Sequence, residues 1–466
     1  MPPTLYPGRR GPRLRASITP FTSITSIITC SMTPLAAFPE GDDDALNAAI
    51  REIEQSTPPA SPSPAGPESS DIYSTRVGAA QLRFIDLSLD ALFAVGTSTE
   101  RDESLESLQG GGHDPRKRGF TVQNVELSFL GAIDPYFTGE AHIIYFIDPI
   151  EGESVFELEE AFLRTQALPW GLQVEAGQFF TEFGRLNPQH PHQWEWQDQP
   201  VINTRLLGPD GLRNPGVRLG WLTPLPWYSE IHGGIQNANG ETAASFLASD
   251  ELIEERPIGG RPFVERDVRS LADILYLLRW DNGFDLTEEL SARGGISGLA
   301  GPNSSGNDGS TVIYGADAVF KWRRIPNDKG WPFVTFQTEV MRRHYHADAA
   351  VDEGDPLDPA DDVAFDNETL RDWGLYTQVL WGFWRPWAAG IRYDYARGEN
   401  GDGRSNDPFR DERHRVSPLV AYFPSEFSRL RLQYNYDHAT HLDSNEAHSV
   451  WFGVEFLFGA HAAHSF

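Results

Sequence analysis

GLQVEAGQFFTEFGRLNPQHPHQWEWQDQPVINTRLLGPDGLRNPGVRLGW, Gly171 to Trp221, opens as one alternating strand and closes as another. Between them, Thr181 to Asn214 carries Pro188, Pro191, Pro200 and Pro209, too many breaks for either strand to run on. A connection of this length inside a compact domain is usually functional rather than a mere link. If the flanking strands are walls of a large barrel, the segment can fold inward, and its expected role is the constriction of a pore.

Outward from this stretch the pattern repeats. Sixteen segments show period two: 81–95, 119–131, 136–147, 155–168, 172–180, 215–222, 227–237, 269–280, 286–298, 311–323, 332–345, 372–384, 387–397, 413–422, 427–438 and 449–458. A tilted strand needs about 9–11 residues to cross a bilayer, and most of these meet that length. Short turns at Asp134-Pro135, Pro169 to Gly171, Thr223 to Pro226, Asp281 to Asp285, Ile325 to Trp331, Arg385-Pro386 and Pro424 to Glu426 alternate with mostly longer connections. Tight turns at one end and long loops at the other mark a transmembrane antiparallel β-barrel of the outer membrane. An even strand number returns both termini to the short-turn, periplasmic side. A soluble sandwich has no reason to keep connection lengths sorted by side.

Aromatic residues agree with this reading. Tyr136, Phe137, Trp170, Trp221, Trp227, Tyr228, Trp280, Phe284, Trp331, Trp384, Trp387 and Phe427 gather at the short-turn ends, as a girdle at the headgroups requires. In the last strand Val450, Phe452, Val454, Phe456 and Phe458 share one face, with Gly453 and Glu455 on the other. The terminal Phe466 suits delivery to the barrel assembly machinery, although the tail GAHAAHSF separates it from that strand.

Composition removes other classes. After the N-terminal segment no apolar run approaches the ~18 residues of a membrane helix, and the mean hydropathy is −0.41. A formal net charge of −29 argues against nucleic acid, whose phosphates need a basic surface. The single cysteine, Cys30, falls in residues 1–37, where Arg9, Arg10, Arg13 and Arg15 precede an apolar stretch ending at Ala36-Ala37, the pattern of a signal peptide. Residues 38–80 are expected to be periplasmic: Ala45, Leu46, Ala49, Ile50 and Ile53 have helical spacing within 42–55, and 56–70 is a Pro/Ser-rich linker. The barrel takes 81–466.

With these features in place the chain resembles a Gram-negative porin. GQFFTEFGRLNP, Gly177 to Pro188, is similar to a strand and its following loop in the phosphate-selective porin O and P family. FTGEAH (Phe137 to His142), QFFTEFGRLNPQHPHQW (Gln178 to Trp194), GLRNPG (Gly211 to Gly216) and NANGET (Asn237 to Thr242) also resemble outer-membrane proteins sometimes labelled zinc-regulated, TonB-dependent receptors. The porin resemblance implies a passive channel in outer-membrane lipid and lipopolysaccharide, with a homotrimer compatible with it. Phosphate selectivity is not carried over, because that family's basic ladder has no residue-by-residue match. A receptor needs a plug inside about 22 strands, and this chain offers too little sequence before its first strand.

The candidate pore residues follow from the long loop and from strand parity. In and beside the loop, Arg185, Arg205 and Arg213 oppose Glu182, Glu195, Asp198 and Asp210, a charge pattern that either sets a transverse field across a constriction or pairs to hold the loop against the wall. On the walls, parity turns Arg218, Arg392, Arg429 and Arg431 into the lumen, and Arg413 with Arg415 extends them into a basic ladder. His190 and His192 with Glu195 are weak metal candidates, since a third histidine is not close in sequence. The acidic stretch 352–362 lacks the spacing of a calcium loop. GGGHDP, Gly110 to Pro115, reads as a flexible loop tip, and no catalytic elbow, phosphate loop or HExxH appears. The expectation is a cofactor-free, non-enzymatic channel for small hydrophilic solutes or ions; the alternatives are a zinc-related uptake receptor and a membrane-embedded hydrolase.

Overall fold

The computed structural model describes residues 74–77, 80–83, 85–149, 152–249, 252, 256–266, 268–352, 362–401 and 407–459. The signal segment with Cys30, the helix at 42–55, the linker at 56–70, the acidic core of the 352–362 stretch and the histidines of the C-terminal tail lie outside the described residues.

Among the described residues sixteen antiparallel strands close into a barrel. In chain order they are β1 (Asp86–Ser98), β2 (Gly119–Ala132), β3 (Phe137–Ile147), β4 (Ser154–Thr165), β5 (Leu172–Phe180), β6 (Arg213–Leu222), β7 (Tyr228–Asn237) and β8 (Ile274–Asp285). There follow β9 (Leu290–Pro302), β10 (Ser310–Asp328), β11 (Trp331–Ala347), β12 (Glu368–Trp384), β13 (Trp387–Glu399), β14 (Arg413–Ser425), β15 (Ser428–Ala439) and β16 (Glu446–Gly459). Closure comes from β16 on β1, in a register running from Ser449 opposite Ser98 to Gly459 opposite Ser88. A bilayer supplies no water to free backbone groups, so the ladder must return to its start.

Side chains alternate as the pleat demands. On β16 Ser449, Trp451 and Gly453 point in and are buried, whereas Val450, Phe452 and Phe456 point out. The outer surface carries Leu278 at 64% and Ile296 at 57% exposure, apolar groups stable only against lipid. Tyr136, Trp170, Trp227, Phe284, Trp384, Trp387 and Phe427 stand exposed at the short-turn end. With tight turns at that end, long loops at the other and both ends of the barrel chain among the turns, the molecule is a barrel of the outer membrane.

Three expectations are corrected. The first barrel strand begins at Asp86, and residues 80–83 instead pair with Ser74–Val77 in a separate hairpin. The turn placed at 281–285 lies at 286–289, because Asp281 sits inside the lumen with Arg293 Nε 2.7 Å from its carboxylate and β8 continues past it. Trp331 leaves the girdle: the β10–β11 register is irregular between Arg323 and Asp328, and the ring packs inward on Phe333 and Phe423, centroids 4.9 and 5.9 Å away.

Two β-bulges depart from strict alternation. Between β3 and β4, His142 pairs with Glu160 but Ile143 with Leu158, so Glu159 is an extra residue and both acids are buried. Between β1 and β2, Leu92 faces Asn124 and Phe93 faces Val122, which leaves Gln123 extra and likewise buries both amides.

Leu278→Arg on the lipid face should cost about 2–4 kcal/mol if it lies near the midplane, read as a lowered urea midpoint in lipid vesicles. The folded protein should be heat-modifiable on a gel, and tags in 96–118 and 346–371 should be reachable on intact cells. Labelling of the Pro169 to Gly171 turn from outside would reverse the orientation.

Candidate functional site

The loop from Thr181 to Leu212 enters the lumen and crosses it. Where it leaves the wall the β4–β5 ladder spans only Ala161–Arg164, and side chains patch the gap: Gln178 Nε2 donates to the Leu158 and Glu159 carbonyls, and Phe180 N to Glu160 Oε1. Glu339 on β11 then accepts from the backbone nitrogens of Arg185 and Leu186 and, at 3.3 Å, from Asn203 Nδ2. Pro200 precedes a two-turn helix, α1 (Val201–Leu207), whose first N–H donates to Asp394 Oδ1 at 3.1 Å. Gly208, at φ 94°, turns the chain back toward β6.

Asp198 is the far anchor. Its Oδ1 lies 2.6 Å from Arg392 Nη2 and 2.9 Å from Gln433 Nε2; Oδ2 lies 2.9 Å from both Arg415 Nη1 and Asn435 Nδ2. Burial raises the Asp198 pKa, but Arg392 and Arg415 outweigh it and hold the carboxyl at about 2. Arg431 donates to the Trp194 and Trp196 carbonyls, Arg429 to the His192 carbonyl, and Trp196 Nε1 to the Ser417 carbonyl at 2.8 Å. Three strands of the opposite wall, β13 to β15, thus grip one loop.

A dry core lies on its long-loop side. Phe183, Val201, Ile202, Leu206, Leu207 and Leu212 from the loop cluster with Phe246 and Leu247 and with Leu275, Leu299, Ile313, Met341 and Tyr376 from the wall. The first long loop adds a second buried cluster: its helix, Asp102–Leu108, packs Leu105 and Leu108 with Trp451. GGGHDP is therefore no mobile tip. Gly112 N donates to the Pro209 carbonyl, Gln199 N donates to Asp114 Oδ1, and a β-carbon at Gly112 would overlap the Asp210 carboxylate. Burial and the nearby Asp198 push the Asp114 pKa up to about 6.

The expected pore residues all lie in the lumen or its loops, but most are engaged. Arg392 is shared by Asp198 and Asp394, Arg413 and Arg415 by Asp437, and Arg429 with Arg431 by Glu455, so acids cancel the basic ladder step by step. Arg205 serves the outer loops, donating to the Asp411 and Pro408 carbonyls, and burial brings it down to about 9. Arg213 pairs with Glu157, Arg218 with Glu175 and Glu182, and Asp210 faces His113 at 3.9 Å. Arg185 and Glu195 line a cavity of about 1060 Å³ that opens among the short turns at Asp328, Arg385 and Glu426. A second cavity of about 360 Å³, on the long-loop side by Glu103, Arg256 and His441, shares no lining residue with it.

The metal candidates regroup. Glu195 lies 3.5 Å from Arg429, whereas His190 and His192 meet Glu126, His142, Glu159 and Glu160 of the wall. Partners thirty or more residues away in sequence, two of them reached through a bulge, were invisible to local spacing. Ser128 Oγ and Glu126 Oε1 both meet Nδ1 of His142, at 3.0 and 2.9 Å; a nucleophile relay needs them on opposite ring nitrogens.

No family model matches the chain. Over 428 residues it is 30% identical to an uncharacterized protein of Aquifex aeolicus (strain VF5), covering 84% of each. The chain belongs to the family of that protein. In architecture it is similar to the outer-membrane channel DcaP of Acinetobacter baumannii, at 10% identity, 80% and 97% coverage of the two chains and a TM-score of 0.49. Pseudomonas putida OprB gives 10%, 80%, 94% and 0.49, and an anion-selective porin of Comamonas acidovorans 9%, 80%, 99% and 0.46. No residue role is carried across at these levels; the family member is an outer-membrane barrel of porin-like build on its own geometry.

Asp198→Ala leaves two buried guanidinium groups without their shared partner and should cost about 3–5 kcal/mol in unfolding free energy. Because the folded pKa is depressed from 3.8, this stabilisation is present above about pH 4 and is lost as pH falls toward 2. The stability gap between wild type and Asp198→Asn should accordingly shrink as pH falls below about 4.

Proposed function

We propose that the protein is a passive outer-membrane channel for small hydrophilic solutes or ions, in which the 181–214 loop acts as a gate across the lumen. The observation that carries this reading is the crossing itself: one loop reaches from β5 to β15, with an inner vestibule beneath it and a separate cavity on the outer side. A loop held this firmly gives low conductance. The inner vestibule mixes Arg185, Lys321 and Arg385 with Asp90, Glu195 and Glu426, which favours neither ion sign strongly. Phosphate selectivity forms no part of the reading.

Planar-bilayer recording tests it. Wild type should show small, infrequent openings without an energy source, and replacing residues 187–208 by a short Gly-Ser link should raise single-channel conductance several-fold. Unchanged conductance from a heat-modifiable, folded variant would place the loop outside the permeation path.

A further inference from the structure

Before it reaches Asp198, the loop touches the wall at a second knot. Glu126 of β2, His142 of β3 and His190 of the loop bring their ligating atoms within 4.8 Å of one another, all three buried. Glu126 is the centre: Oε1 lies 2.9 Å from His142 Nδ1, while Oε2 lies 3.1 Å from His192 Nδ1 and 3.4 Å from His190 Nδ1. Elsewhere in the lumen Asp198, Asp317, Asp372 and Asp437 are held by guanidinium groups. Glu126, Glu159 and Glu160 meet imidazoles instead, and an imidazole, unlike arginine, can turn a lone pair toward a cation.

Two further observations point to a ligand. Glu160 Oε2 lies 2.9 Å from His190 Nε2, the outer carboxylate contact that fixes the tautomer of a metal-bound histidine and leaves Nδ1 for the ion. That Nδ1 faces Glu159 Oε2 at 2.7 Å, yet both atoms are buried and neither has a hydrogen-bond partner of acceptable geometry. Buried polar atoms left in this way call for an explanation. An ion ligated by both atoms supplies one. The bulge at Glu159 is the backbone device that turns two consecutive acids into the same space.

We propose that this knot binds one divalent transition-metal ion of the zinc class, held by His190, His142 and Glu126 with Glu159, and oriented by Glu160. Two imidazoles with carboxylates suit such an ion; calcium and magnesium take oxygen ligands. A cavity of about 200 Å³ lined by Glu126, His142, Glu160 and His190 gives access, and it shares Asp90 and His192 with the inner vestibule. Because His190 belongs to the loop and the other ligands to the wall, the ion staples the near end of the loop as Asp198 does the far end. This inference does not rest on the channel reading.

The test uses the full-length protein in detergent, stripped with a chelator, reloaded with zinc and titrated against a chromophoric competitor. Wild type should hold one zinc ion more than the His142→Ala/His190→Ala double variant. Glu160→Gln should weaken that site by about 10–100-fold, and His344→Ala, an outer-face change, should leave it intact. Zinc should also slow hydrogen exchange of 186–200 in wild type but not in the double variant. Equal zinc content and affinity in folded wild type and double variant would overturn the site, as would absence of bound zinc from folded wild type. Should the double variant fail to fold, Glu160→Gln decides alone: an unchanged affinity overturns the assignment. Binding with no change in exchange would overturn the staple.

Discussion

The closure of β16 on β1 is the constraint on which the rest depends. Inside a bilayer an unpaired strand edge has no solvent, so the sheet must end on its own beginning. Closure makes every strand two-sided, with lipid on one face and an enclosed polar space on the other. The exposed Leu278, Ile296 and Phe452 and the buried Arg279, Ser297 and Trp451 are products of that division. Enclosure also limits how far water can screen the wall charges, so each lumenal arginine needs a local partner.

The long loop answers that need. Asp198 brings one carboxylate to two guanidinium groups and two amides, and Glu339 does the reverse, presenting a wall carboxylate to three loop N–H groups. Wall and loop each carry what the other lacks. On the long-loop side of these polar contacts the apolar cluster around Phe183, Ile202 and Leu206 gives the loop a dry core of its own. The result is a segment ordered by its surroundings rather than by its own propensity, since its helix of seven residues is too short to stand alone.

The two ends of the loop use different chemistry. At the far end the partners are arginines, permanently charged and suited to a fixed latch. At the near end they are histidines facing Glu126, Glu159 and Glu160, groups whose state depends on what binds them.

Period-two alternation and the sorting of turn lengths determined the barrel and its sixteen strands, because lipid and water enforce face parity at every residue. They also put Arg392, Arg429 and Arg431 in the lumen, where the structure has them buried. Sequence alone could not tell that Asp198 of the loop would join the wall acids against this ladder, since Asp198 and Arg415 lie so far apart in the chain. It misplaced Trp331 and the 281–285 turn where register broke or a lumenal partner extended a strand. The knot around His190 was decided by tertiary structure: a bulge suspends parity at Glu159, and only closure of the barrel around the loop brings β2, β3 and β4 to the same imidazole.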